Sequence, residues 1–83
     1  MKLKVRRLMD GPGPGEAMVE VVAANGMFEE VIVSDTSLVE DGIEIGQPIS
    51  FENDAALVEL PMESMSGRWR IWVRRADVRE TRE

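Results

Sequence analysis

Two runs rich in β-branched residues, Glu16 to Ala24 and Met27 to Ser34, are separated by Asn25-Gly26. Asparagine and glycine tolerate the positive φ of a tight turn, so this dipeptide between apolar runs is the strongest short-range hairpin signal a sequence carries. Its register has two solutions. A two-residue loop pairs Val19 with Ile32, whereas a three-residue loop with a glycine bulge pairs Val19 with Val31 and sets Glu20 opposite Glu30. Like charges directly opposite cost stability, so the first register is expected.

An isolated hairpin is marginal in water, and the remaining chain is punctuated to supply further strands. Lys2, Lys4 and Arg6 alternate with Leu3 and Val5, until Leu8 falls out of phase and predicts a bulge or strand end near Arg6-Arg7. Asp10 to Gly15 reads as a loop, in which Pro12 and Pro14 withhold the N–H groups that a phosphate-binding nest requires. Ser37-Leu38-Val39-Glu40 has capping-box spacing, enough for one helical turn before Gly42. Ile43 to Ile45 and Ile49 to Glu52 read as short strands. Ala55 to Leu60 reads as a strand, with a short helix capped by Asn53 or Asp54 as the alternative.

After a loop from Met62 to Gly67, the run Arg68 to Arg74 alternates clearly. Trp69, Ile71 and Val73 share one face; Arg68, Arg70, Trp72 and Arg74 share the other. Ala76 to Val78 closes the chain as a turn or 3₁₀ element, and Arg79 to Glu83 are expected to fray. No internal repeat is visible. The expected architecture is all-β: a small barrel, SH3-like or OB-like, of about five or six short antiparallel strands with at most one helical turn, forming a single domain over residues 1–83.

Composition narrows the function classes. Hydrophobic residues at 43% and charged residues at 31% belong to a globular chain rather than a disordered one. The longest apolar stretches are a few residues, far short of a membrane span, and no signal peptide can be read at the N-terminus, so a cytoplasmic protein is expected. Cysteine, histidine and tyrosine are all absent. Without them the common metal sites, thiol chemistry and the usual neutral-pH base are missing, and no enzyme, cofactor or metal is expected. Glu29-Glu30 and Glu40-Asp41 lack the spacing of a calcium loop and read as solvated acids.

The net charge of -6 hides a segregation: every lysine and arginine lies in residues 1–7 or 68–82, and the 13 acids between Leu8 and Gly67 have no basic neighbour in sequence. The basic ends either pair with acidic middle strands or meet as one positive stripe. The run Asp35 to Gly42 resembles part of the Asp-x-Ser-x-x-Gly signature of PilZ domains, small barrels whose family binds a cyclic dinucleotide. Glu40 stands where that signature has glycine, and no binding residue is carried over.

The expected function is a non-catalytic interaction module whose partner is a protein, a second copy of the chain included. The contact would come from an edge strand or the loop bearing Met62 and Met65. The alternative is a nucleic-acid or nucleotide module in which Arg68, Arg70 and Arg74 hold phosphate and Trp72 stacks on a base. The acidic body opposes that alternative.

Overall fold

The computed structural model describes residues 1–81, of which 53% are in strands and 7% in 3₁₀ turns. In chain order the strands are β1 (Lys2–Lys4), β2 (Arg6–Asp10), β3 (Glu16–Val22), β4 (Phe28–Ser34), β5 (Leu38–Val39), β6 (Gly42–Glu44), β7 (Ser50–Glu52), β8 (Ala55–Glu59), β9 (Arg70–Arg74) and β10 (Val78–Arg79). The 3₁₀ turns are Asp35–Ser37 and Arg75–Asp77. More strands form than expected because Val5 divides the N-terminal run and because each 3₁₀ turn delivers a two-residue strand. Ser34 rather than Ser37 caps the first turn, its Oγ accepting from the Thr36 N–H.

Three antiparallel sheets result, ordered β2-β3-β4, β7-β8-β9 and β10-β1-β6-β5. No closed barrel is found among the described residues. The slip at Leu8 is a break in the β2–β3 register between Arg7 and Met9. Residues 55–59 are strand, as Ala56 and Val58 alternate into the core. Arg79 belongs to β10, and the Thr81 hydroxyl donates to Glu44 Oε2 at 2.8 Å; the end of the tail expected to fray, Arg82 and Glu83, lies outside the described residues.

The hairpin takes the register that was not expected: Val19 pairs with Val31 and Glu20 with Glu30. Gly26 sits at φ 87°, Ala23 N–H donates to the Met27 carbonyl at 2.8 Å, and Asn25 Oδ1 accepts from Met27 N–H at 3.0 Å. The cause lies in the core. This register keeps Val19, Val21, Val31 and Val33 buried on one face, while a one-residue slip turns Val31 and Val33 outward. Burying each valine stabilises by about 1.5–3 kcal/mol, against at most about 1 kcal/mol for one like-charge pair on the wet face. Arg6, opposite Glu20 on its other side, reduces that cost further.

A repeat that the residue identities hide is plain in the backbone. β1 and β6 pair antiparallel about Leu3 and Ile43, and the two bonds beyond that ladder are equivalent: Val5 N–H to Asp41 O at 3.0 Å and Ile45 N–H to Met1 O at 2.8 Å. β10 pairs with β1 as β5 pairs with β6, Leu3 facing Val78 and Ile43 facing Leu38. Each half therefore runs through four strands, a 3₁₀ turn and a short strand, related by a pseudo-twofold axis with an offset of about forty residues. The core follows the same offset: Leu3 and Ile43, Val5 and Ile45, Val19 and Val58, Val31 and Ile71, and Val33 and Val73 are counterparts, all buried in one cluster. The central sheet contains strands of both halves, so neither half completes it alone.

Two outcomes follow from this central ladder. A Cβ at Gly42 would lie 2.7 Å from the Leu3 carbonyl oxygen, so Gly42→Ala is expected to lower stability by about 1–3 kcal/mol in urea unfolding. Peptides 1–40 and 41–83, cut in the exposed turn between β5 and β6, are expected to be unstructured apart and to regain a β circular-dichroism spectrum when mixed.

Candidate interaction surface

β9 carries most of the arginine-rich run. Ile71 and Val73 enter the core, and Arg70, Trp72 and Arg74 face out. Arg68 and Trp69 precede the strand. Trp69 was expected on the buried face, but it is 50% exposed; its carbonyl accepts from Leu60 N–H at 2.7 Å where the β8–β9 pairing ends, beyond the cover of the core.

Each arginine on this face already holds a carboxylate. Arg68 Nε lies 3.8 Å from Glu29 Oε2, Arg70 Nε 3.4 Å from Glu59 Oε2, and Arg74 Nε 3.0 Å from Asp77 Oδ2. Arg74 adds a second bond through its NH2 group to the other oxygen of Asp77 at 3.4 Å. Trp72 remains 36% exposed. Among the described residues the cation-π contact is elsewhere, with Arg75 4.4 Å from the ring centre of Phe51, so no guanidinium shields Trp72 in this way.

Glu29 joins the two halves. Its Oε1 accepts from the Ser64 hydroxyl at 2.8 Å and from the Ser66 hydroxyl, and its side chain is only 13% exposed. The Ser66 bond, helped by the Ser64 bond and by Arg68, holds the Glu29 carboxyl below its ordinary pKa despite the opposing effect of burial. Beside it, Met65 N–H donates to the Glu30 carbonyl at 2.8 Å. The turn from Ser64 to Arg68 is thus pinned on β4. It repeats the turn from Ala23 to Met27: Ser64 N–H bonds the Arg68 carbonyl, Gly67 N–H bonds the Ser64 carbonyl, and Gly67 has φ 88°. The Ala23 to Met27 turn in its own place leans on β9, through the Ala23–Val73 bridge and a 2.8 Å bond from Ala24 N–H to the Trp72 carbonyl. Each turn is seated on the last long strand of the other half.

Two clefts flank the place where β3 meets β9. One, of about 300 Å³, is lined by Ala23, Ala24, Met27, Ile71 and Trp72, with the Arg68–Glu29 pair at its side. The other, of about 320 Å³, is lined by Lys4, Val5, Arg6, Val22, Phe28 and Arg74; Glu20 and Asp77 also reach it. Lys4 and Arg6 from the first basic run meet Arg74 from the last in this cleft; outside it, β1 and β10 are neighbours and Lys2 lies opposite both Arg79 and Glu44. Of the two readings of the charge segregation, pairing of a basic with an acidic strand is seen where Lys2 faces Glu44 across β1 and β6, whereas the arginine-rich β9 lies in another sheet from β1 and β2. The pseudo-equivalent cleft, of about 440 Å³, presents Glu44, Ile45, Gly46, Glu59, Leu60 and Pro61, so the twofold relation keeps the apolar floor and changes the charge.

Lys4, Arg6 and Phe28 were not read from the sequence as parts of one site. The separation of bases from acids was its visible trace, but only the fold brings β1, β4 and β9 to one cleft. Comparisons with known proteins find no match among family models, curated proteins or solved structures.

Glu29 gives this arrangement a measurable pH signature. Glu29→Gln is expected to cost about 1–2 kcal/mol near neutral pH by removing charge-assisted bonds. Because the folded-state pKa is depressed, the wild-type advantage is complete above the unfolded-state value and is lost as pH falls through the folded one. Urea midpoints of the two proteins are expected to draw together as pH falls below the ordinary glutamate range.

Proposed function

We propose that this protein is a non-catalytic interaction module whose partner is another protein, a second copy included, held on the outer surface where β3 meets β9. The observation that carries the reading is the pair of apolar-floored clefts at that junction. Phe28, 61% exposed, lines one and Trp72, 36% exposed, lines the other. Large aromatic side chains in concave apolar surroundings are the usual anchors of protein interfaces. The serine-bonded carboxylate, Glu29, is held ionised as an anchor between the halves, which makes it a poor proton donor at neutral pH.

One observation favours a nucleic-acid module instead: Trp72 offers an exposed ring beside Arg70. Against it, Arg68, Arg70 and Arg74 are each engaged by a carboxylate that a phosphate would have to displace, on a chain of net charge -6.

Tryptophan emission separates the two readings. In a Trp69→Phe chain the signal reports Trp72 alone. Oligothymidylate at low salt is expected to leave it unchanged, whereas quenching that salt reverses would transfer the function to nucleic acid. Random peptides displayed on phage and selected on the full chain are expected to yield sequences whose binding is weakened at least several-fold by Phe28→Ala or by Trp72→Ala. A selection that returns nothing would remove the protein-binding reading.

A further inference from the structure

We infer that the cleft floored by Val5, Val22 and Phe28 takes a short acidic peptide segment bearing a large apolar side chain, with its carboxylates on Lys4 and Arg6. The inference rests on the protein-binding reading above and names the chemistry of the partner.

The chain has 16 acids and 10 lysines or arginines, an excess in which every cation has carboxylates to draw on. Lys2 is flanked by Glu40 and Asp41, Arg7 by Asp10 and Asp35, and the arginines at 68, 70 and 74 by one acid each. Among the described residues Lys4, Arg6, Arg75 and Arg79 make no ion pair, although Glu20 stands opposite Arg6 across the β2–β3 ladder and lines the same cleft. Arg75 lies over the Phe51 ring, and of the other three only Lys4 and Arg6 line a cleft with an exposed aromatic side chain. Both are exposed, both line the cleft that holds Phe28, and Val5 between them is buried beneath. Two exposed cations without an ion pair around an apolar hollow match a ligand that is anionic at its ends and apolar at its centre.

The surroundings decide between kinds of anion. Glu20 and Asp77 border the cleft, and the pseudo-equivalent cleft presents Glu44 and Glu59. A phosphate polymer carries a negative charge at every step past those carboxylates, while a segment with one or two aspartates or glutamates has fewer charges to place, on Lys4 and Arg6. At about 320 Å³ the cleft is at the lower limit of ligand pockets, suited to one large side chain rather than a folded ligand. The opposite charge of the equivalent cleft supplies an internal control, since the same backbone setting with Lys4 replaced by Glu44 and Arg6 by Gly46 lacks the cations.

The test is the composition of peptides selected by display on the full chain, followed by affinities of synthesised winners. The expected winners place Asp or Glu next to Leu, Ile or Phe, and their affinity falls several-fold between about 50 and 300 mM salt. They are expected to lose about tenfold on Arg6→Glu and more on the Lys4→Glu, Arg6→Glu double variant, while Arg70→Glu retains wild-type affinity. Circular dichroism confirms the fold of each variant, and the salt dependence on the unaltered chain stands even if the double variant unfolds. Winners that are neutral or basic, that ignore salt, or that bind Arg6→Glu as well as wild type would overturn this assignment and leave the protein-binding reading intact. Competition by oligothymidylate lost on Arg6→Glu would overturn it in favour of nucleic acid, and a selection without winners would overturn both.

Discussion

The antiparallel contact of β1 with β6 is the joint on which the rest of the structure depends. Each strand is only three residues long, yet Leu3 and Ile43 at its centre are fully buried, and the outer strands of that sheet, β10 and β5, have no other place to pair. A small chain cannot build two independent cores, because too little of its surface is hidden in either half. Interleaving the halves resolves this: the valines of both long hairpins and the isoleucines of the second half pack as one cluster, held across the middle by a ladder to which each half contributes. Gly42 fits there because the Leu3 carbonyl leaves no room for a side chain.

The same interleaving arranges the charges. Bringing the first strand beside the last places the basic ends together, and seating each turn on the other half lets Glu29 hold Ser64, Ser66 and Arg68 across 35 to 39 positions of sequence. Arg7, Arg68, Arg70 and Arg74 each stand beside a carboxylate. Individually these exposed pairs contribute little, typically below about 1 kcal/mol, so their main consequence is to occupy the cations. Lys4 stands opposite Gly42, which has no side chain, and Arg6 opposite Glu20 without an ion pair. The core thus dictates the register, and the register sets which charges face one another.

Local features were legible where the backbone requirement is local. Asn25-Gly26 announces its turn, Leu8 announces its slip by falling out of phase, and the alternation of Ile71 and Val73 with Arg70, Trp72 and Arg74 survives in the fold. Trp69 was misread because alternation says nothing about where a ladder stops. The hairpin register was misread because a single like-charge pair was weighed without the four valines whose burial opposes it. The repeat escaped notice because buried positions demand only aliphatic character: Leu3 and Ile43, or Val31 and Ile71, are interchangeable to the core and look unrelated to the eye.

What the sequence by itself determined is the class of structure and its chemical inventory: short strands set by period-two alternation and turn residues, no thiol or imidazole, and bases confined to the ends. These are properties of single residues and of near neighbours. Which strands meet was decided by tertiary structure alone, because pairing residues forty apart depends on burying both halves at once. From that pairing came the twofold arrangement, the commitment of Arg68, Arg70 and Arg74 to carboxylates, and the cleft in which Lys4 and Arg6 remain open beside Phe28.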